Sequence, residues 1–368
     1  MTKIDLNNIT PFMAVHAGEY LKDELAAREI TQKQLAVLTG IQAPIINDII
    51  KGKRDVTAEQ SILIGRALEI DDTFFLDMQK QYDIDRARIS KRVAEQSAAM
   101  GIWKIVEQYI SVVFFKSVGL ITDNVKQNVE NIFKVFGVNN IEAFLVLQRE
   151  EMEFGYYKKS EKLTTDEKDL FSWKHYCSYL SKQTTLESNF TKDSRDALIA
   201  ELNSAFINDV RVDAVKTICE KYGIKFIVVN KVGQVPVDGM SFMCDNTPTI
   251  ALTMRKKNLD NFAFSLMHEL GHIYLHLGDS NKYYVNIENH NSNSYEDEAN
   301  KFAANSLIPD TKWKEFYSKV IKLPNHLVQD YIGRFAIENH INAAIIMGRY
   351  QFEANRYNMK NKFRMSIE

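Results

Sequence analysis

Between Phe264 and Gly278 the sequence FSLMHELGHIYLHLG sets three histidines and a glutamate into an otherwise apolar run of helical periodicity. Apolar helices seldom hold so many titratable groups without a use for them. In the pattern H-E-x-x-H, His268 and His272 stand four residues apart and project from one helix face, one turn above the other. Both imidazoles can then reach a single ion at about 2.0–2.1 Å. Glu269 lies beside the first histidine, where it can take a proton from a water on the metal and return it to a leaving amine. The small Gly271 lets a sheet or a substrate come close to the helix. His276 follows His268 by eight residues, about 12 Å along a straight helix. It cannot share that ion and is expected to support the ligands from a second shell or to pack.

A third ligand has to come from elsewhere, and the segment SYEDEANKFAANSLIP is the best supply. Glu296 would complete a His₂Glu site with one position left open, the thermolysin-like arrangement. Asn300, one turn later, could hydrogen-bond a free histidine ring nitrogen. Asp297 and Glu298 compete for the ligand role, and on a helix Glu298 points about 200° away from Glu296. His290, in the polar ENHNSNSYED, is a further candidate, and Tyr274, Tyr283 and Tyr284 are candidates for stabilising an oxyanion. Before the motif, RVDAVKTICEKYG reads as a helix ending at Gly223, followed by a strand over 224–229. VPVDGMSFMC and PTIALTM read as two more short strands, so the histidine helix follows directly on a small sheet.

The N-terminal eighty residues have a different character. GEYLKDELAARE puts Tyr20, Leu21, Leu25 and Ala26 on one helical face. TQKQLAVLTG opens with a Thr31/Gln34 capping box and closes at Gly40, and QAPIINDIIKGKR gives a second short helix ended by Gly52. TAEQSILIGRALEI follows with Thr57 as cap and Ile62, Leu63, Ala67 and Leu68 facing inward. Two short helices joined by a glycine turn of about three to four residues, within a compact helical unit, read as a helix-turn-helix. The outer face of its second helix keeps Gln42 and Asn47, followed by Lys51, Lys53 and Arg54, groups suited to base edges and phosphates. Charge pulls the other way: residues 1–80 hold nine Lys and Arg against twelve Asp and Glu, a net of −3. Modest, salt-sensitive binding by a dimer is the expectation.

Residues 84–208 are helical by pattern. Tyr156, Tyr157, Trp173 and His175 could line a groove, but aromatic spacing of this kind is expected in a core, and Lys158 and Lys159 in a solvated turn. The whole chain, 368 residues with 45% hydrophobic and 26% charged residues and a net charge of −2, is ordinary for a soluble multi-domain protein. Three scattered cysteines and an N-terminus without an apolar segment fit a cytoplasmic protein with no membrane association.

The stretch from AVHAGEYLKDEL to TFFLDMQ resembles the XRE-type helix-turn-helix of HigA-like antidote proteins, whose openings carry a VHPGE-like sequence; here Ala17 replaces the proline. That resemblance implies a dimer on operator DNA, with Gln42, Ala43 and Asn47 facing bases and Gln32, Lys51, Lys53 and Arg54 near phosphates. PTIALTMRKKNLDNFAFSLMHELGHIYLH, YEDEANKFAANSLIP and INAAIIMGRYQ resemble the ImmA/IrrE family of metallopeptidases, over roughly residues 210–357. The implied roles are Glu269 as general base and His268, His272 and Glu296 as ligands of zinc, with manganese acceptable to the same ligand set. The expected architecture is multi-domain and α-rich: an all-α helix-turn-helix domain (1–82), a helical connector (83–208), an α+β zincin-like metallopeptidase core with a small sheet (209–310) and a C-terminal helical segment (311–368). The expected function is that of a DNA-binding, antitoxin-like regulator carrying a zinc endopeptidase that cleaves a repressor, an antitoxin or itself. The alternative is a non-proteolytic HigA-like repressor whose zincin-like domain senses a ligand or binds a partner.

Overall fold

The structure, a computed structural model, describes residues 11–153, 167–208, 210–230, 237–277, 283–287 and 294–367. The chain divides into two compact units, residues 1–102 and 103–368. In the first unit α1 (Ala17–Ala27), α2 (Gln32–Thr39), α3 (Ala43–Ile50) and α4 (Ala58–Ala67) follow one another, and α5 (Phe74–Val106) begins there and ends just past residue 102. Thr31 and Thr57 each head a helix through a complete capping box with Gln34 and Gln60. Between α2 and α3 the chain turns over residues 40–42, with Gly40 at φ 73°, a left-handed conformation that favours glycine. The core beneath this turn is formed by Leu21, Leu25, Leu35, Ile46, Ile49, Ile64, Leu68 and Phe75. Gln79 ties α5 to the chain after α3, accepting from the Val56 N–H and donating to Asp55.

Two details depart from the apolar pattern. Tyr20 and Ala26 are exposed, and α1 instead buries Ala17 and Gly18 with Leu21 and Leu25. A Cβ on Gly18 would fall 1.9 Å from the Ile49 carbonyl oxygen, so close contact with α3 outweighs hydrophobicity there. On α4, Ile62 and Leu63 face outward while Ser61, Ile64 and Gly65 are buried. Ser61 donates to the Asp72 carbonyl and accepts from the Leu76 N–H, and a Cβ on Gly65 would meet the Asp71 oxygen at 2.9 Å. Small and polar residues are inward because backbone lies against them.

The second unit begins with α6 (Val112–Ser117), α7 (Val125–Phe136), α8 (Ile141–Glu153) and α9 (Glu167–Gln183). Phe115, Phe136, Phe144 and Phe171 form an aromatic cluster in which the His175 ring lies tilted against Phe136 at 4.5 Å; Trp173 is also buried. Tyr156, Tyr157, Lys158 and Lys159 lie outside the described residues. The end of α9 reaches the sheet, where Ser181 bonds Thr249 and receives the buried Lys225 ammonium on its carbonyl.

Next come α10 (Arg195–Asn208), α11 (Val212–Lys221), β1 (Lys225–Val228), β2 (Val237–Cys244), β3 (Thr247–Leu252), α12 (Leu259–Leu275) and β4 (Tyr283–Ile287). After these the chain runs through α13 (Ser294–Leu307), α14 (Asp310–Val320), α15 (Asn325–Asn339) and α16 (Ala343–Glu353). The sheet has order β1-β3-β2-β4, with β1 parallel to β3 and the other pairs antiparallel. Asp245 and Asn246, both at positive φ, make the two-residue turn between β2 and β3. The fourth strand adds to the three expected from the sequence. Twelve of the seventeen residues of α12 are buried, so it is the central helix of the unit. It packs on β2 and β3, α13 and α16, and Leu198, Leu202 and Phe206 of α10 join the same core. The N-cap Asn258 makes no side-chain cap. Instead the C-terminal segment closes this end, with the Leu259 N–H donating to the Met365 carbonyl and the Ile367 N–H to that of Lys257.

Candidate metal centre

α12 and α13 together assemble the site. His268 and His272 point their Nε2 atoms at each other, 3.0 Å apart. The Glu296 carboxylate faces both, with Oε2 3.2 Å from His268 Nε2 and Oε1 3.4 Å from His272 Nε2. Among the described residues this is the group of three His, Cys, Asp or Glu whose ligand atoms all lie within 4.8 Å of one another. Neighbouring ligands of a tetrahedral ion with bonds of 2.0–2.1 Å are separated by roughly 3.3 Å, close to the 3.0, 3.2 and 3.4 Å found among these atoms. The donor set of two imidazoles and a carboxylate is also that of a catalytic zinc site.

Close helix packing creates this convergence. A Cβ on Gly271 would stand 3.1 Å from Ala299 Cα, so the glycine allows α13, rather than sheet or substrate, to lie against α12. Ala299 and Ala303 are fully buried on the facing side of α13. Glu296, one turn before Ala299, is thereby carried to the histidines.

Around the three residues, Asn300 Oδ1 lies 2.9 Å from His268 Nδ1, and His276 Nδ1 lies 2.9 Å from His272 Nδ1. Glu298 Oε2 is 3.1 Å from His276 Nε2 rather than at the Nε2 pair. Glu269 is completely buried, and neither carboxylate oxygen has a hydrogen-bond partner. Burial pushes its carboxyl up to about 8, with His268 and the Ser241 hydroxyl acting downward. For Glu296, burial acts upward, but His268 and His272 outweigh it and bring the carboxyl to about 2. The His268 imidazole is raised: burial opposes its charge, and Glu296 and Glu269 prevail. Burial lowers that of His272.

Two neighbours of Glu269 lie outside the H-E-x-x-H pattern. A Cβ on Gly239 would fall 2.8 Å from Glu269 Oε1, and the buried Ser241 lies two residues further along β2. Their signal is present in VDGMSFMC, where small residues at i and i+2 share one strand face and Met240 and Phe242 the other. Tyr274 bonds Ser194 and packs against Phe190 and Phe302, which occupies it in the core. Tyr283 and Tyr284 belong to β4. Asp297 is on α13, and His290 lies outside the described residues.

In the first unit, Gln32 opens α2 and Gln42 is the exposed N-cap of α3, whose helix it does not cap through its side chain. Ala43 and Asn47 are half-buried along α3, and Lys51, Lys53 and Arg54 are exposed just beyond its end.

The chain thus combines a helix-turn-helix unit with a helix-on-sheet domain that carries a His/Glu cluster. Residues 21–75 match the helix-turn-helix family model, and residues 219–322 match the peptidase M78 model, the IrrE N-terminal-like domain. The chain therefore carries a helix-turn-helix DNA-binding domain and a peptidase-type domain of the IrrE/ImmA kind. Solved structures that align with it include an addiction module antidote protein of the HigA family from Coxiella burnetii and the Pseudomonas aeruginosa antitoxin HigA with the higBA promoter. The first is 26% identical over 23% of this chain and 96% of its own, with a TM-score of 0.21. The second is 27% identical over 27% of this chain and 97% of its own, also with a TM-score of 0.21. No curated protein matches the chain. Among the described residues no helix is long and apolar enough to cross a membrane.

Proposed function

We propose that this chain is a DNA-binding, antitoxin-like regulator whose second unit is a zinc-dependent endopeptidase acting on a repressor, an antitoxin or the chain itself. The observation that carries the reading is the convergence of His268, His272 and Glu296 beside a buried, unpartnered Glu269. His268, His272 and Glu296 would hold the metal, with manganese able to occupy the same set. When bound, the metal supplies Lewis acidity toward a carbonyl and water. Glu269 is the general base: apart from the Ser241 hydroxyl no donor acts on its oxygens, and burial lets it hold a proton and give it back. Gly239 leaves that carboxylate the space it occupies.

A peptide substrate is supported by the sheet. β4 pairs with β2 and, among the described residues, ends the strand order, and its Asn286 sits opposite Gly239. An extended chain adding to this edge would run two strand spacings, about 10 Å, from Gly239. The test is bound metal per chain in protein purified without added metal or a histidine tag. Near-stoichiometric zinc in the wild type, lost in His268→Ala and Glu296→Ala, is the expected result; a wild type that takes up no zinc even when it is supplied sinks the reading.

For the first unit we propose operator binding as a homodimer, with Gln42, Ala43 and Asn47 toward bases and Gln32, Lys51, Lys53 and Arg54 toward phosphates. Asn47→Ala is expected to weaken binding to the chain's own upstream DNA by about 1–3 kcal/mol and to relax sequence preference. Lys53→Ala should instead weaken binding to all sequences and reduce the salt slope by about one. Gel retardation across a salt series separates the two, and no retardation at low salt would make the helix-turn-helix a protein-binding module, as its net charge of −3 over residues 1–80 favours.

A further inference from the structure

We infer that Glu298 and His276 form a relay that fixes the tautomer of His272 and so keeps its Nε2 lone pair turned toward the metal position. The inference rests on reading His268, His272 and Glu296 as the metal ligands. Glu298 Oε2 lies 3.1 Å from His276 Nε2, and His276 Nδ1 lies 2.9 Å from His272 Nδ1. A carboxylate only accepts hydrogen bonds, so His276 Nε2 carries the hydrogen. A neutral imidazole has a single N–H, which leaves a lone pair on His276 Nδ1. That lone pair accepts from His272 Nδ1–H, and the lone pair of His272 is then at Nε2, facing His268 and Glu296.

The other histidine is set in one step. His268 Nδ1 donates to the Asn300 carbonyl oxygen, which leaves its own lone pair at Nε2. Two imidazole lone pairs and the Glu296 carboxylate then meet with no hydrogen among them, an arrangement that a cation satisfies. The two arms differ in length for a geometric reason. Asn300 is one turn beyond Glu296 on α13 and reaches His268 directly, whereas His272 faces the end of α12 and needs the buried His276 as an intermediary. Tyr295 packs edge-on against the His276 ring at 4.9 Å and restricts its rotation. Glu298 and His276 are therefore positioning residues. Glu298 is not a rival to Glu296: it aims the second histidine.

A relay in series makes a distinctive prediction for zinc affinity, measured on the full chain by competition with a chromophoric chelator. Glu298→Ala and His276→Phe should each weaken zinc by about 10–100-fold. The double variant should be no weaker than the worse single one, because either change alone already breaks the chain. Glu298→Gln should bind within a few-fold of wild type, since its amide oxygen can accept the same hydrogen bond. Glu298 is more than half exposed, so Glu298→Ala should unfold at the wild-type temperature when metal is chelated. Wild-type zinc affinity in Glu298→Ala, or additive losses in the double variant, overturns the relay while leaving the three-ligand site intact. A wild type that binds no zinc overturns both.

Discussion

A Glu269→Gln protein is expected to keep its metal and lose its peptidase activity. Glu269 is no ligand in the geometry of the site, so replacing its carboxyl by an amide leaves His268, His272 and Glu296 in place. In the proposed mechanism what disappears is the group that moves the proton, a contribution of about 10²–10⁴-fold in rate. Cleavage of a peptide library, read by mass spectrometry on zinc-loaded wild type and variant, measures the loss whatever the natural substrate is. Stability should move the opposite way. A carboxylate buried without hydrogen-bond partners is an unfavourable group to fold around, and an amide of the same shape is less so. The variant should therefore melt at or above the wild-type temperature, and such a stability–activity trade-off is a mark of a working site. Full cleavage by Glu269→Gln would remove Glu269 from the chemistry and favour a non-proteolytic role for the domain.

Gly271→Val should damage fold and site together. The added Cβ would already stand 3.1 Å from Ala299 Cα and 3.3 Å from the Ala299 carbonyl oxygen, and valine places two methyl groups beyond it. With both helices packed against the core, relief comes from moving α13 outward, at about 1–3 kcal/mol for overpacking of this kind. Glu296 travels with α13, so zinc affinity should fall by roughly tenfold or more. A lowered melting temperature with wild-type zinc affinity would show that the Glu296 carboxylate reaches the histidines independently of the helix contact.

Local rules were enough for much of this. The capping box at Thr31, the cap at Thr57, the left-handed Gly40 and the apolar spacing of α12 act over a few residues, and each is found where the sequence puts it. The His268/His272 pair is legible for the same reason, since a spacing of four on a helix fixes its geometry. What escaped depends on contacts distant in sequence. Ile62 and Leu63 look like core residues until the backbone at 70–72 takes the inner face of α4. Asp260 shows no reason to be near residue 348, yet a Cβ on Gly348 would meet its carboxylate at 2.5 Å. Leu198 and Phe206 read as part of a connector and instead belong to the core around α12. Glu298 is two residues from Glu296, and helical geometry alone separates them; only the position of His276 explains where its carboxylate goes.

The seat of α12 also sets an order of events in time. Every core residue of the helix-turn-helix unit lies between Ala17 and Phe75, so that core is complete once the first quarter of the chain has emerged from the ribosome. The start of α12 is held by the carbonyl of Met365 and the N–H of Ile367, whose side chain is itself buried. At synthesis rates of about 5–20 residues per second, this separates the two by on the order of 15–60 s. A nascent chain can present its helix-turn-helix before its peptidase helix is anchored, and a chain shortened by a few residues at position 365 would keep the first unit while leaving the second unfinished.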